Sequence, residues 1–174
     1  MSSKNFSTAS IAVAICFSGV LLLWDVGSVG AATNRDRQAV ATAKLILRTS
    51  AYSLDDLVLQ LTGHWGYSTP EATYGADHSG ANWNHEALLF AKENLKSEGF
   101  SRNGLIQRME TYEFTAGQAA YGTAHCGANW NTEAYRVAQN VLANEKVSKS
   151  ALIRQLESSG FTVAQATYGA SRAY

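Results

Sequence analysis

Two histidines and a cysteine are the residues of this chain best suited to a reactive or metal-binding site. His78 and His125 lie 47 positions apart in matching phrases, and Cys126 follows the second histidine directly. Imidazole and thiolate groups are common zinc ligands. No pair of them has the i, i+4 or C-x-x-C spacing of a preformed site, and Ser79 replaces the cysteine in the first phrase. We therefore predict no metal and no cofactor, and interpret both histidines as helix-end residues.

Sequence motifs of the common enzyme classes are missing as well. The chain contains no G-x-S-x-G, H-E-x-x-H, G-x-x-x-x-G-K or paired-carboxylate signature. Glu86 and Glu133 fall in the predicted first turn of a helix, where negative charge suits the helix dipole. The chain has 14 basic and 14 acidic residues, so it lacks the basic excess of a nucleic-acid-binding protein. We predict a non-enzymatic protein with no catalytic residues and no nucleic-acid partner.

Residues 1–32 have the composition of an export segment. The apolar run IAVAICFSGVLLLW, residues 11–24, is short for a membrane span and typical of a signal-peptide core. Cleavage after Ala31 or Ala32 is one interpretation, and retention as an N-terminal anchor is the alternative. Lipidation of Cys16 is disfavoured because the bulky Ile15 precedes it. We predict an exported protein at the extracellular face of the membrane, on the cell surface or secreted, with membrane contact only through residues 11–32.

A repeated phrase organises the rest of the chain. YGADHSGANWN, residues 74–84, returns as YGTAHCGANWN at residues 121–131, with eight of eleven positions identical. The pair Tyr168-Gly169 follows at the same spacing. After a short linker at 33–37, we predict an all-α fold of three tandem copies, 38–84, 85–131 and 132–174, the third without the GANWN phrase.

Each copy is predicted to contain three helices. The first helix has an apolar stripe with an alanine pair, Ala39 and Ala43 in copy one, that lets another helix approach closely. The second begins after a capping serine, Ser53, and the third begins at a capping box, Ser68 with Glu71. The equivalents are Ala87, Ala91, Ser101, Thr115 and Gln118 in copy two, and Ala134, Ala138, Ser148, Thr162 and Gln165 in copy three.

We interpret the repeated phrase as the joint between copies. Gly80 would end one helix in the left-handed conformation, Asn84 would cap the next, and Trp83 would precede that cap as a hydrophobic staple. Tyr74 is expected to face inward, and Gly75 to mark a tight helix contact or the start of fraying. The same roles are predicted for Gly127, Asn131, Trp130, Tyr121 and Gly122, and for Tyr168 and Gly169 in the third copy.

Charge is distributed unevenly among the copies. Copy one has two bases and four acids, copy two has four and five, and copy three has five and three. Net charges of −2, −1 and +2 follow from these counts. Such polarity favours an acidic surface for a basic partner, with ordinary surface charge as the alternative. We predict that Asp55, Asp56 and Asp77 face the partner.

The module resembles the Ltp-type host cell surface-exposed lipoprotein family over residues 38–174. The segments that carry the resemblance are YSLDDLVLQL (52–61), YSTPEATYGADHSGANWNHEALLFA (67–91), FTAGQAAYGTAHCGANWNTEAYRVA (114–138) and FTVAQATYGA (161–170). The resemblance implies a small all-helical repeat protein on the bacterial surface. It also implies exclusion of superinfecting phage, in which DNA injection is blocked by binding the phage tail tape-measure protein.

Two features depart from the family pattern. Asn82-Trp83-Asn84 and its second copy replace the Asp-Trp-Asn of the family, and the residues before Cys16 form a poor lipidation site. The first hypothesis is therefore a surface-displayed or secreted binding protein that excludes phage. The alternative is a helical module that binds the glycan of the bacterial cell wall, and an envelope enzyme is the least favoured class.

Overall fold

The computed structural model describes residues 31–174, and all regular secondary structure in this range is helical. The all-α fold class is thereby confirmed. The helices are α1 (Asn34–Leu47), α2 (Leu54–Gly63), α3 (Thr69–Asp77), α4 (Trp83–Ser97), α5 (Arg102–Thr111), α6 (Ala116–His125), α7 (Trp130–Asn144), α8 (Lys149–Ser158) and α9 (Val163–Ala173). None of these described helices is long and apolar enough to cross a membrane. The predicted export segment, with Cys16, lies outside the described residues except for its last two positions.

The helices of residues 31–174 pack in three consecutive groups, α1–α3, α4–α6 and α7–α9. In each group the first helix packs mainly against the third. Each group also has its own buried hydrophobic cluster. The second helix of each group contributes two completely buried side chains one turn apart: Leu57 and Leu61, Leu105 and Met109, and Leu152 and Leu156.

Local capping explains where most of these helices begin. Ser53, Ser101 and Ser148 each accept a hydrogen bond from the backbone N–H three residues later. The third helix of every group begins at a reciprocal capping box, in which the cap and the residue three positions later satisfy each other's N–H groups. These caps confirm the predictions made at Ser68 with Glu71, Thr115 with Gln118, and Thr162 with Gln165.

A glycine allows the third helix of each group to approach the first. A Cβ on Gly75 would lie 2.8 Å from the Ala39 Cβ, and one on Gly169 would lie 2.6 Å from the Ala134 backbone. These distances are far below ordinary van der Waals contact, so the predicted tight helix contact is confirmed at both positions. Gly80, three residues past the end of α3, has a φ of +77°, which confirms its predicted left-handed conformation.

The predicted caps of α4 and α7 are wrong by two residues. Asn82 caps α4 by accepting from the N–H of His85 at 3.1 Å, so Asn84 lies inside the first turn. Asn129 caps α7 in the same way, and Asn131 is again inside the helix. Both asparagines of the N-W-N phrase have side chains that can cap a helix, and the earlier one, Asn82 or Asn129, is the cap. The tryptophan therefore becomes the first helical residue and not a staple residue before the cap.

The tyrosines of the repeated phrase do not face inward as predicted. Tyr121 is 38% exposed, Tyr168 is 42% exposed, and Tyr74 is half-buried. The buried face of α3 consists of Ala72, Gly75 and Ala76. Because the glycine must meet the first helix, the preceding tyrosine is rotated by about 100° to the edge of the contact.

Candidate functional site

Trp83 and Trp130 fill the junctions between successive groups of helices. Trp83 is the first residue of α4, yet its side chain packs against the buried cluster of α1–α3. Trp130, the first residue of α7, packs against the cluster of α4–α6. Ala51 lies in the connection between α1 and α2, and its side chain packs in the opposite direction, into the buried cluster of α4–α6. Each junction thus depends on side chains that reach into the neighbouring group.

Ser101 joins the second and third groups through a hydrogen bond that its sequence position did not reveal. Its hydroxyl is buried, donates to the carbonyl oxygen of Ser159 at 2.5 Å and accepts from the N–H of Gly104 at 2.9 Å. A Cβ on Gly160 would lie 2.8 Å from the same hydroxyl oxygen. Ser101 is therefore both a helix cap and a contact between groups, whereas sequence reasoning identified only the cap.

The two histidines are engaged in local contacts on the helices that carry them. His78 stacks on Tyr74 with ring centroids 3.9 Å apart, and His125 stacks on Tyr121 at 4.1 Å. Each Nδ1 lies within 2.9 Å of the tyrosine carbonyl oxygen, which can only accept, so Nδ1–H donates. Cys126 donates its thiol to the carbonyl oxygen of Thr123 at 3.2 Å. Within residues 31–174, no three His, Cys, Asp or Glu side chains are grouped as a metal site requires.

The first-turn acids Glu86 and Glu133 are buried, which sequence reasoning did not anticipate. Glu133 accepts from Arg136 at 2.9 Å, and the same guanidinium donates to the carbonyl oxygen of Leu95 at 2.6 Å. Leu89 occupies the position of Arg136 in the second group, and within residues 31–174 one carboxylate oxygen of Glu86 has no hydrogen-bond partner. Burial raises the pKa of Glu86, with a smaller opposing effect from His85.

The three acids predicted to face a partner lie on two helices that pack together. Asp55 and Asp56 are in the first turn of α2, and Asp77 is the last residue of α3. Asp55 and Asp77 are exposed, and Asp56 is half-buried. None of the three forms an ion pair with another residue of the described range. No hydrogen bond or ion pair in that range brings Asp77 together with the other two.

The third group of helices is the part of the chain that matches a known family. Residues 129–171 match the host cell surface-exposed lipoprotein family. The match begins at Asn129, the cap of α7, and ends within α9. The match confirms the resemblance to the Ltp-type family for residues 129–171, hereafter the Ltp segment. No curated protein and no solved structure matches the chain.

The Ltp segment contains one junction tryptophan and one close helix contact, but not the predicted acidic surface. Trp130, Glu133 with Arg136, and the contact of Gly169 with Ala134 all lie inside residues 129–171. Asp55, Asp56 and Asp77 lie outside it. The family match therefore bears on the helical module and leaves the acidic surface as a hypothesis.

Proposed function

We propose that this protein is a non-enzymatic binding protein displayed on the bacterial surface, and that it excludes superinfecting phage. In this proposal it binds the tail tape-measure protein of the incoming phage and stops injection of the DNA. The observation that carries the proposal is the match of residues 129–171 to the host cell surface-exposed lipoprotein family. The same family is the one that the motifs of residues 38–174 resemble.

We further propose that the three groups of helices are tandem copies of one module. Glycines 47 residues apart, Gly75, Gly122 and Gly169, each meet an alanine of the first helix in the same group. The serine caps and capping boxes recur at nearly the same spacing. Because both the helix caps and the close glycine–alanine contacts recur at nearly equal spacing, the whole module is proposed to be repeated.

An acidic surface on the first module would promote encounter with a basic partner. Attraction between unlike charges raises the association rate most when contact time is short, as it is during injection. Acids in the first turn of α2 also stabilise that helix, so Asp55 and Asp56 have a second reason to be acidic. Asp77 lacks this reason, because negative charge is unfavourable at a helix C-terminus. Of the three acids, Asp77 therefore gives the strongest support for a partner-binding role.

A plaque assay on cells that express the full chain tests the proposal. Native protein is expected to lower plaque formation, and the triple change Asp55→Asn, Asp56→Asn and Asp77→Asn to restore it. The matched control replaces three exposed acids of the second group of helices with glutamine. One lies in α4, one at the C-cap of α4 and one in α5, so the control removes the same amount of charge away from the first group. Plaque reduction that survives the triple change in a folded protein would exclude the acidic surface. The control acids are Glu93, Glu98 and Glu110.

Recognition of cell-wall glycan is the second candidate function. Trp65, Tyr121 and Tyr168 expose between 38% and 50% of their surface, and exposed aromatic rings can stack on sugar rings. Sedimentation with purified peptidoglycan tests this candidate. Cosedimentation that is lost on Tyr121→Ala and Tyr168→Ala, without any effect of the protein on plaques, would favour wall binding over phage exclusion.

The export segment is expected to work without lipidation. Mass spectrometry of the expressed protein should find an N-terminus near Ala32 or Thr33, or an intact chain in the membrane fraction. A diacylglyceryl group on Cys16 would contradict this expectation.

A further inference from the structure

A cleft of about 310 Å³ opens beside the junction of the second and third groups. One wall is the C-terminal half of α4, and the other is the connection from α6 to α7 together with the first turn of α7. Both polar and apolar side chains line it, among them Lys92, Leu95, Lys96, Cys126, Thr132 and Glu133. It is separate from the acids of the first group, none of which lines it.

The cleft carries positive charge that the described part of the protein does not neutralise. Lys92 and Lys96 lie one turn apart on α4, both are exposed, and neither forms an ion pair within residues 31–174. The carboxylate of Glu133 is paired with Arg136 at 2.9 Å. The N-terminal end of α7, with its helix dipole, also borders the cleft. Two lysine charges are therefore available to an occupant.

The walls of the cleft are held together before any ligand arrives. The guanidinium of Arg136 binds Glu133 and also donates to the carbonyl oxygen of Leu95, at 2.6 Å. Leu95 lines the wall from α4 and Glu133 lines the wall from α7. This connection fixes the separation of the two walls, so little ordering cost remains to be met on binding.

Comparison with the preceding junction shows why this cleft suits an anion. Lys44 and Arg48 occupy the sequence positions of Lys92 and Lys96 in the first group, so the basic pair occurs twice. Glu86 occupies the position of Glu133, but Leu89 stands where Arg136 would be needed, and one Glu86 oxygen is buried without a hydrogen-bond partner among the described residues. Only the later of the two junctions combines the basic pair with a neutralised glutamate.

We propose that this cleft binds an acidic, partly apolar peptide segment of a partner protein. Carboxylates would pair with Lys92 and Lys96, while an adjacent apolar side chain would contact Leu95. The apolar share of the lining and the presence of only two free lysines favour such a peptide over a polyphosphate or nucleic acid, whose binding requires many cations. This site differs in place and in sign of charge from the acidic surface, and does not depend on the proposed function.

The test uses the full chain carrying Cys16→Ser, so that Cys126 is the single thiol. The probe is a short peptide of alternating glutamate and leucine, and the measurement is the rate at which Cys126 reacts with a thiol reagent at increasing peptide concentration. Saturable protection is expected, with about tenfold weaker apparent affinity after Lys92→Gln with Lys96→Gln, since two exposed ion pairs together are worth about a tenfold change. Lys92→Arg with Lys96→Arg should retain binding.

Controls separate this site from general attraction and from self-association. Lys146→Gln with Lys149→Gln removes two exposed charges outside the cleft and should leave the affinity unchanged. A peptide with glutamine in place of glutamate should not protect Cys126. Equal protection by that peptide, stronger protection by inorganic polyphosphate, or concentration-dependent protection by the protein itself would each overturn the proposal. Circular dichroism would verify that every variant is folded.

Discussion

Gly122 lies against Ala87 so closely that no side chain fits between them. A Cβ on Gly122 would lie 2.6 Å from the Ala87 carbonyl oxygen and 2.8 Å from the methyl group of Met109. The carbonyl belongs to the backbone of α4 and cannot rotate away as a side chain could. The spacing between α4 and α6 is therefore fixed by the absence of a Cβ, and the buried side chains of that group are packed to this spacing.

Gly122→Ala is expected to lower the free energy of unfolding by about 1–3 kcal/mol, the usual cost of overpacking. Gly117→Ala is the matched control on the same helix, because nothing lies within 4 Å of a Cβ there. The control should raise stability through helix propensity, by at most about 0.5–1 kcal/mol because Gly117 lies in the first turn of α6. Thermal melts followed by circular dichroism distinguish the two. A neutral Gly122→Ala would show that α6 can move away from α4 at no cost.

Trp130→Ala is expected to destabilise the protein by about 2–3 kcal/mol. A fully buried aromatic residue costs about 3–5 kcal/mol on truncation, and Trp130 is only partly buried against the α4–α6 cluster. Trp65→Ala, at a residue that is 50% exposed, should change stability by less than about 0.5 kcal/mol. Chemical denaturation measures both. An unchanged midpoint for Trp130→Ala, combined with lost phage exclusion, would identify Trp130 as a binding residue.

Glu113→Gly is expected to stabilise the protein by about 1 kcal/mol. Glu113 has a φ of +61°, which costs an L-residue roughly this amount relative to glycine. Gly66 and Gly160 occupy the equivalent positions in the other groups, with φ of +66° and +88°. Glu113→Ala removes the carboxylate but keeps the Cβ, so it should give no comparable gain. Equal stabilisation by alanine would attribute the effect to charge and not to backbone strain.

Glu86→Gln is expected to raise stability at pH 7 and to change it less at pH 4. The folded-state pKa of Glu86 is raised above its ordinary value of 4.5 by burial. The folded protein therefore binds the proton more tightly than the unfolded chain does, and stability falls as pH rises through the raised pKa. Glu110→Gln, on the exposed face of α5, is the control. Unfolding measured at both pH values should show the difference only for Glu86.

Glu71 contributes to pH dependence in the opposite direction. The N–H of Ser68 in the capping box, and then Arg35, lower the pKa of Glu71. Its contribution to stability is therefore present above the ordinary pKa and is lost as pH falls through the lowered one. Comparison of the native protein with Glu71→Gln between pH 3 and pH 5 should show this acid-side loss. A constant stability difference over that range would contradict it.

The helix starts at Ser53, Ser68 and their equivalents were predictable from the sequence. A cap is made between a residue and a backbone N–H two or three positions away, so its chemistry is local and survives in any tertiary context. The paired buried side chains of the second helices were predictable for a similar reason, since their spacing alone defines one face. The Ltp segment could also be recognised, because its caps, aromatic residues and spacing recur together.

Other features were decided only when the helices packed. The N-W-N phrase offers two possible caps, and the sequence does not show that the earlier, Asn82, is the one used. The helix phase that brings Gly122 against Ala87 turns Tyr121 toward solvent, and one residue of helix corresponds to about 100° of rotation. The burial of Glu86, the bond from Ser101 to Ser159 and the cleft beside Lys92 all join residues of different helices or loops. The spacing of apolar residues along the sequence does not indicate such contacts, because they depend on how closely neighbouring helices can approach.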